Sequence, residues 1–280
     1  MSYCKKKVIN YGTVCDFLEQ IAQTFENNGV VPFTVTRTNL PYNENVSDIP
    51  SVTCDWDDVR IVFGMIGSMV GSSSSSSKSS AINCYVYQKN LNNNEYVNVY
   101  SSYYFYLYFT NSDVYNNQNT TRKASFNFVK NNEGIGINIY GYDNALVFLI
   151  LSDITTQTVS NRLYYYYYSS NGSFQKIQDI NLDYSYSVDT YNKPLDSNNI
   201  LLQYQIPVTY CNSSSDIRYL TTLKNTSAVV GSNLTRGAFY TLNTKSGKKT
   251  YLTTNCYDTS SSSIKATYMA MECGDEVTSS

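Results

Sequence analysis

Histidine does not occur anywhere in these 280 residues. Its absence removes the commonest general base, the Ser-His and Cys-His nucleophilic pairs and every imidazole metal ligand. Catalysis would have to run on carboxylates, lysine or tyrosine alone. The expectation is a protein that is not an enzyme and holds no cofactor or metal. Charge is scarce too: Asp, Glu, Lys and Arg make up 15% of the chain, against about 25% in ordinary soluble domains. At a net charge of −2, no bulk field draws the chain toward nucleic acid or an anionic membrane.

No cysteines stand at C-x-x-C spacing. Cys4, Cys15, Cys54, Cys84, Cys211, Cys256 and Cys273 are scattered and odd in number. That fits free thiols in a reducing compartment better than a disulfide framework or a thiolate zinc site. Long apolar runs are missing as well. The longest, 59–70 and 145–151, fall short of the roughly 20 residues of a membrane-spanning helix. The basic start Lys5-Lys6-Lys7 has no apolar stretch behind it, so a signal peptide is not expected. The N-x-S/T sequons at Asn45, Asn119, Asn171, Asn212, Asn225 and Asn233 are then read as unmodified.

What the chain has in excess is tyrosine, 29 residues, amid abundant Ser, Thr and Asn. Such a mixture resembles contact surfaces, where tyrosine supplies area at low entropy cost. AT-rich coding bias would produce the same composition. The tyrosines concentrate in 79–168, above all in Tyr103-Tyr104-Phe105-Tyr106-Leu107-Tyr108-Phe109 and Tyr164–Tyr168. Runs of this length suit strands with at least one packed face. Further strand-like runs at 81–88, 124–129, 135–142 and 145–151 are separated by Asn- and Gly-rich turns. Strand, turn and strand at short spacing predicts antiparallel sheets in a sandwich or barrel-like arrangement.

One helix is expected ahead of the sheets. Thr13 caps it, Asp16 stands three residues on, and Val14, Phe17, Leu18, Ile21, Ala22 and Phe25 form one apolar stripe. Glu19 and Glu26 face outward, and Asn27-Asn28-Gly29 ends the helix. The stripe must cover a sheet or dock on a neighbouring subunit, which makes Phe17 and Ile21 interface candidates. Residues 30–38 alternate and read as the first strand. Residues 61–70 fit a strand or a short buried helix. The serine-rich stretch 71–80 reads as a linker-like loop. Near the end, 239–243 and 249–254 flank a turn at 244–248 and predict a hairpin. The expected organisation is a helix over 1–29, a main antiparallel β domain over 30–190 and a β-hairpin region over 191–280.

Chemistry-bearing clusters are few. Asp55, Asp57 and Asp58 around the single Trp56 could hold calcium, but the EF-hand glycine and terminal glutamate are missing. A solvated acidic turn with Trp56 anchored in the core is the stronger reading. Gly134-Ile135-Gly136 resembles the opening of a dinucleotide fingerprint, yet a strand and not a helix follows it. Asp153, Asp179, Asp183 and Asp189 could supply a carboxylate pair for glycoside hydrolysis, with no spacing that singles out two of them. The tyrosine runs carry more weight. Alternation lets Tyr103, Phe105, Leu107 and Phe109 fill a core while Tyr104, Tyr106 and Tyr108 face the other way, and Tyr164, Tyr166 and Tyr168 separate from Tyr165 and Tyr167 in the same manner. The second face is read first as a protein interface, next as a second core layer, and last as a sugar-stacking surface.

In layout the chain resembles virion proteins of tailed bacteriophages. The similarity rests on the opening helix and strand (14–35), the aromatic strands (84–109), the Gly141-Tyr142-Asp143 turn before an apolar strand, and the late motif at 235–242 followed by Lys248-Lys249. The tryptophan that often ends the opening helix is absent; Val30-Val31 stand there. The resemblance implies a structural component of tail, neck or capsid, located in the virion and assembled in the host cytoplasm. Its implied partners are other virion proteins and further copies of the chain, without nucleic acid or membrane. A tail-tip or fibre module that recognises host-surface glycan is the alternative, and a carboxylate-only glycosidase is the remaining rival. No catalytic residue carries over.

Overall fold

The computed structural model describes residues 3–43, 45–66, 81–89, 93–107, 122–131, 134–141, 144–151, 163–169, 175–176, 180–182, 201–213, 216–230, 239–244, 247–257, 267–273 and 277–279. Within them the chain is mainly antiparallel β-sheet with one helix near the N-terminus, as the sequence predicts. The strands are β1 (Tyr3–Tyr11), β2 (Thr34–Thr38), β3 (Ser51–Trp56), β4 (Val59–Met65), β5 (Ala81–Lys89), β6 (Tyr96–Tyr106), β7 (Arg122–Asn131), β8 (Gly134–Tyr140), β9 (Asn144–Leu151), β10 (Leu163–Ser169), β11 (Gln175–Lys176), β12 (Ile180–Leu182), β13 (Leu201–Ser213), β14 (Asp216–Val230), β15 (Phe239–Thr244), β16 (Gly247–Tyr257), β17 (Thr267–Cys273) and β18 (Val277–Ser279); the helix is α1 (Val14–Glu26). They form a five-stranded sheet in the order β2-β3-β4-β5-β6, a seven-stranded sheet β11-β10-β9-β8-β7-β1-β18 and a six-stranded sheet β12-β13-β14-β17-β16-β15. Within the described residues the pairings are antiparallel except β1 with β18, which is parallel.

The helix forms where its stripe predicts. The Thr13 hydroxyl accepts the Asp16 N–H at 3.0 Å, and the Asp16 carboxylate accepts the Gly12 N–H at 2.8 Å. The short aspartate thus reaches one residue beyond the usual capping-box partner. At the other end the buried Asn28 amide donates to the Val31 carbonyl at 2.8 Å and accepts the Val30 and Val31 N–H groups at 2.7 and 2.6 Å. That amide turns the chain, with Gly29 at φ +70°, from helix into strand.

The stripe of α1 is spent inside the chain. Phe17 stacks on Phe105 of the five-stranded sheet at 5.7 Å and meets Phe126 of the seven-stranded sheet at 6.4 Å. About two turns on along the same face, Phe25 meets Phe63 of the first sheet and Phe128 of the second, edge to face, at 5.6 and 5.3 Å. A single core therefore joins α1, β1, the inner face of β3–β6 and one face of β7 and β8. Phe17 and Ile21, expected as interface candidates, are wholly buried in that core. Burying large apolar side chains within the chain leaves nothing of this stripe for a neighbour.

One other expectation is corrected. The first strand is β1, not 30–38, and it lies in the interior of the seven-stranded sheet between β7 and β18. Of the two readings open for 61–70, strand holds at 61–65, because β3 and β4 form a tight hairpin in which Trp56 pairs with Val59 and Asp57 takes φ +54°. The late hairpin stands as read, with Thr244 opposite Gly247. The six-stranded sheet meets the seven-stranded one where the Asn131 amide donates to the Glu272 carbonyl at 3.4 Å.

Candidate functional site

Register places the residues of the five-stranded sheet on two faces. The inner rows are Val35–Cys54–Ile61–Val86 and Val52–Phe63–Cys84, with Ile82 opposite Phe105. Every one of these except Val35 is buried. The alternate residues form the open rows Thr34–Asp55–Arg60–Tyr87, Thr36–Thr53–Val62–Tyr85 and Thr38–Ser51–Gly64–Asn83. Apart from buried Gly64, these are half-buried or exposed. A face of hydroxyls, tyrosine rings and one ion pair results, and it is the candidate site.

The ion pair fixes one end of the face. Arg60 donates through Nε and Nη2 to the two carboxylate oxygens of Asp55, both at 2.7 Å. This forked geometry is the strong form of the pair. The guanidinium carbon also lies 3.9 Å from the centre of the Tyr96 ring, a cation–π contact. The Asp55 hydrogen bond holds the Arg60 pKa above its ordinary value, while burial pushes the Tyr96 hydroxyl up. Charge is thereby cancelled locally. What remains on offer is hydrogen-bonding capacity and ring area. Beside it, the Asn83 amide donates to the Tyr85 hydroxyl at 3.3 Å.

The acidic trio is placed apart. Asp55 is committed to Arg60, Asp57 sits exposed in the turn, and Asp58 is buried. No group of three metal-ligating side chains occurs among the described residues. Trp56 is packed against the core, as the acidic-turn reading requires. Gly134 and Gly136 lie in β8, in a strand as expected. Asp153, Asp179, Asp183 and Asp189 lie outside the described residues.

Of the tyrosine candidates, Tyr104 and Tyr106 stand on β6, with Tyr104 opposite Asn83 in an open row and Tyr103 opposite Cys84 in a core row. Phe105 and Leu107 are buried as predicted. Tyr164, Tyr166 and Tyr168 fall on β10 opposite Leu149, Val147 and Ala145. Their side chains, like those of Tyr104 and Tyr106, are outside the described set, and Tyr108 lies outside it altogether. The rings that the structure does place on the open face are Tyr85, Tyr87 and Tyr96, which were not singled out from the sequence. Their signal was there: Asn83, Tyr85 and Tyr87 alternate with Ile82, Cys84 and Val86.

Elsewhere Cys15, Cys54, Cys84 and Cys273 form no disulfide among the described residues. Burial raises the Cys15 thiol to about 11 and the Cys54 thiol well above its ordinary value, so both stay protonated and poorly nucleophilic. No protein-family model and no curated protein sequence matches this chain.

Proposed function

We propose that the chain is a non-enzymatic assembly protein that binds a neighbouring protein through the open face of its five-stranded sheet. The observation that carries this reading is the half-buried Tyr85–Tyr87 pair, set on the sheet beside an Arg60–Asp55 pair that has already cancelled its own charge. Rigid rings give contact area at little entropic cost, and depletion of net charge is what the centre of an interface requires. A stable contact would bury more than about 1,000 Å², so the surrounding threonines must take part. The virion of a tailed phage is proposed as the particle on the sequence resemblance alone, with other virion proteins and further copies of this chain as partners.

A second reading, recognition of a neutral glycan, draws on the same face. A ring flanked by a fixed donor and acceptor, Tyr87 beside Arg60 and Asp55, suits a sugar as well as a peptide. Light scattering on the purified chain, beside a glycan array, separates the two. The assembly reading expects large species that a Tyr85→Ser/Tyr87→Ser variant loses while its circular dichroism is unchanged. A monomer that binds glycan through the same tyrosines favours the second reading. A monomer that binds nothing sinks both.

A further inference from the structure

Strand β2 closes one edge of the five-stranded sheet, and among the described residues it pairs on one side only, with β3. In an antiparallel ladder every second residue turns its N–H and C=O away from the existing partner, so such an edge is a template for another strand. Natural edges are commonly blunted by a charge. The one charged residue of β2 does not serve that purpose. Arg37 donates through Nε to Glu19 at 2.9 Å and through Nη1 and Nη2 to the two carboxylate oxygens of Glu26 at 2.5 and 2.9 Å. It is drawn onto the helix and neutralised there. Both glutamates carry pKa values lowered by that contact.

The sequence of β2, Thr34-Val35-Thr36-Arg37-Thr38, reads with the same hydroxyl pattern from either end. Laid antiparallel on a copy of itself about a two-fold axis, it sets Thr36 opposite Thr36 and Thr34 opposite Thr38. Cross-strand threonine pairs are favourable. Thr34 and Thr36 are exposed. Three large hydrophobic residues are exposed among those described, and two of them, Val46 at 39% and Ile49 at 44%, lie in the loop that joins β2 to β3. Both sit in the connection at one end of the β2–β3 hairpin.

We infer that two copies of this chain join edge to edge through β2, antiparallel and centred on Thr36, continuing two five-stranded sheets into one. The pairing is isologous, which is the usual symmetry of a closed dimer. It rests on the assembly reading but uses the sheet edge, not its open face. The two contacts therefore fail separately.

The test uses sedimentation equilibrium on the full chain. The Tyr85→Ser/Tyr87→Ser variant, stripped of the face contact, is expected to remain a dimer. Adding Thr36→Lys places like charges directly opposite each other and should yield monomer with unchanged circular dichroism. Register is checked independently: Thr36→Cys should form a disulfide-linked dimer under mild oxidation, beyond any seen in the parent, and Thr34→Cys should not. A dimer that survives Thr36→Lys overturns the edge pairing while leaving assembly intact. A parent that is already monomeric, or a Thr34→Cys crosslink as efficient as that of Thr36→Cys, overturns it too. Dissociation by Thr36→Lys with large species untouched by the tyrosine changes would sink the face reading instead.

Discussion

The five-stranded and seven-stranded sheets share one core, yet they use their second faces differently. In the five-stranded sheet the second face is Thr53, Arg60, Val62, Tyr85 and Tyr87, all partly open to solvent. In the seven-stranded sheet the second face at β7 and β8 is closed: Asn127, Val129 and Asn138 are as buried as Phe126 and Ile137 on the first. Asn127 and Asn138 stand opposite each other in register. Buried amides cost stability unless they are hydrogen-bonded, whereas half-open tyrosines and threonines cost almost nothing to leave free. The difference teaches which sheet has capacity to spare. One is committed on both sides within its own chain, the other on one side only.

The contrast can be broken most severely at the joint between the sheets. Phe17→Ala removes a ring that touches Phe105 on one sheet and Phe126 on the other. A loss of about 3–5 kcal/mol is expected in urea unfolding, the usual cost of truncating a buried aromatic. Survival with less than about 1 kcal/mol lost would mean that the helix is not what couples the two sheets. A smaller effect is expected at Gly141, just past β8. A Cβ there would lie 2.8 Å from Cζ of Phe105. That ring is fully buried and stacked parallel to Phe17, so it cannot swing aside. Gly141→Ala should cost about 1–3 kcal/mol by overpacking, and Phe105→Leu in the same chain should recover part of it.

The smallest effect sharpens the comparison at the sheet edge. Glu19 and Glu26 have folded-state pKa values below their ordinary 4.5, with the Arg37 hydrogen bonds as the leading cause. A lowered carboxylate pKa gives stability that is present above the unfolded value and is lost as pH falls through the folded one. Stability of the parent should therefore drop as pH falls below about 4.5. Because both carboxylates are partly exposed, Arg37→Gln should cost only about 1 kcal/mol at neutral pH, and it should flatten that acid limb. An acid limb of unchanged slope would show that other carboxylates set it.

Much of the fold was legible from periodicity. The stripe from Val14 to Phe25 could only be a helix, and Ile82, Cys84 and Val86 against Asn83, Tyr85 and Tyr87 could only be a strand with two unlike faces. β1 was not legible because its pattern is inverted. Val8 is 50% exposed, whereas Lys7 is half-buried and stands opposite Phe126. The register of β1 is set by its neighbours β7 and β18, and the lysine stem can lie along apolar surface while its charge stays wet. The closed face of β7 and β8 was hidden for another reason. A period of two tells which residues share a face and says nothing of whether that face is covered. The candidate site escaped notice for a related cause. A tyrosine run stands out by composition, but a surface ring is marked by alternation with core residues.

The pairing of β1 with β7 also has a bearing on time. Lys6 pairs with Asn127, and the two are joined by more than a hundred residues of intervening chain. A ribosome adding about 5–20 residues per second needs on the order of ten seconds to deliver that strand. Throughout that interval the N-terminal strand has no β7 to pair with, and for most of it Phe17 has neither Phe105 nor Phe126 to rest on. The oily side of the helix is bare while the peptide is still being made, and a chaperone or a neighbouring nascent copy would meet it then, long before any finished surface exists.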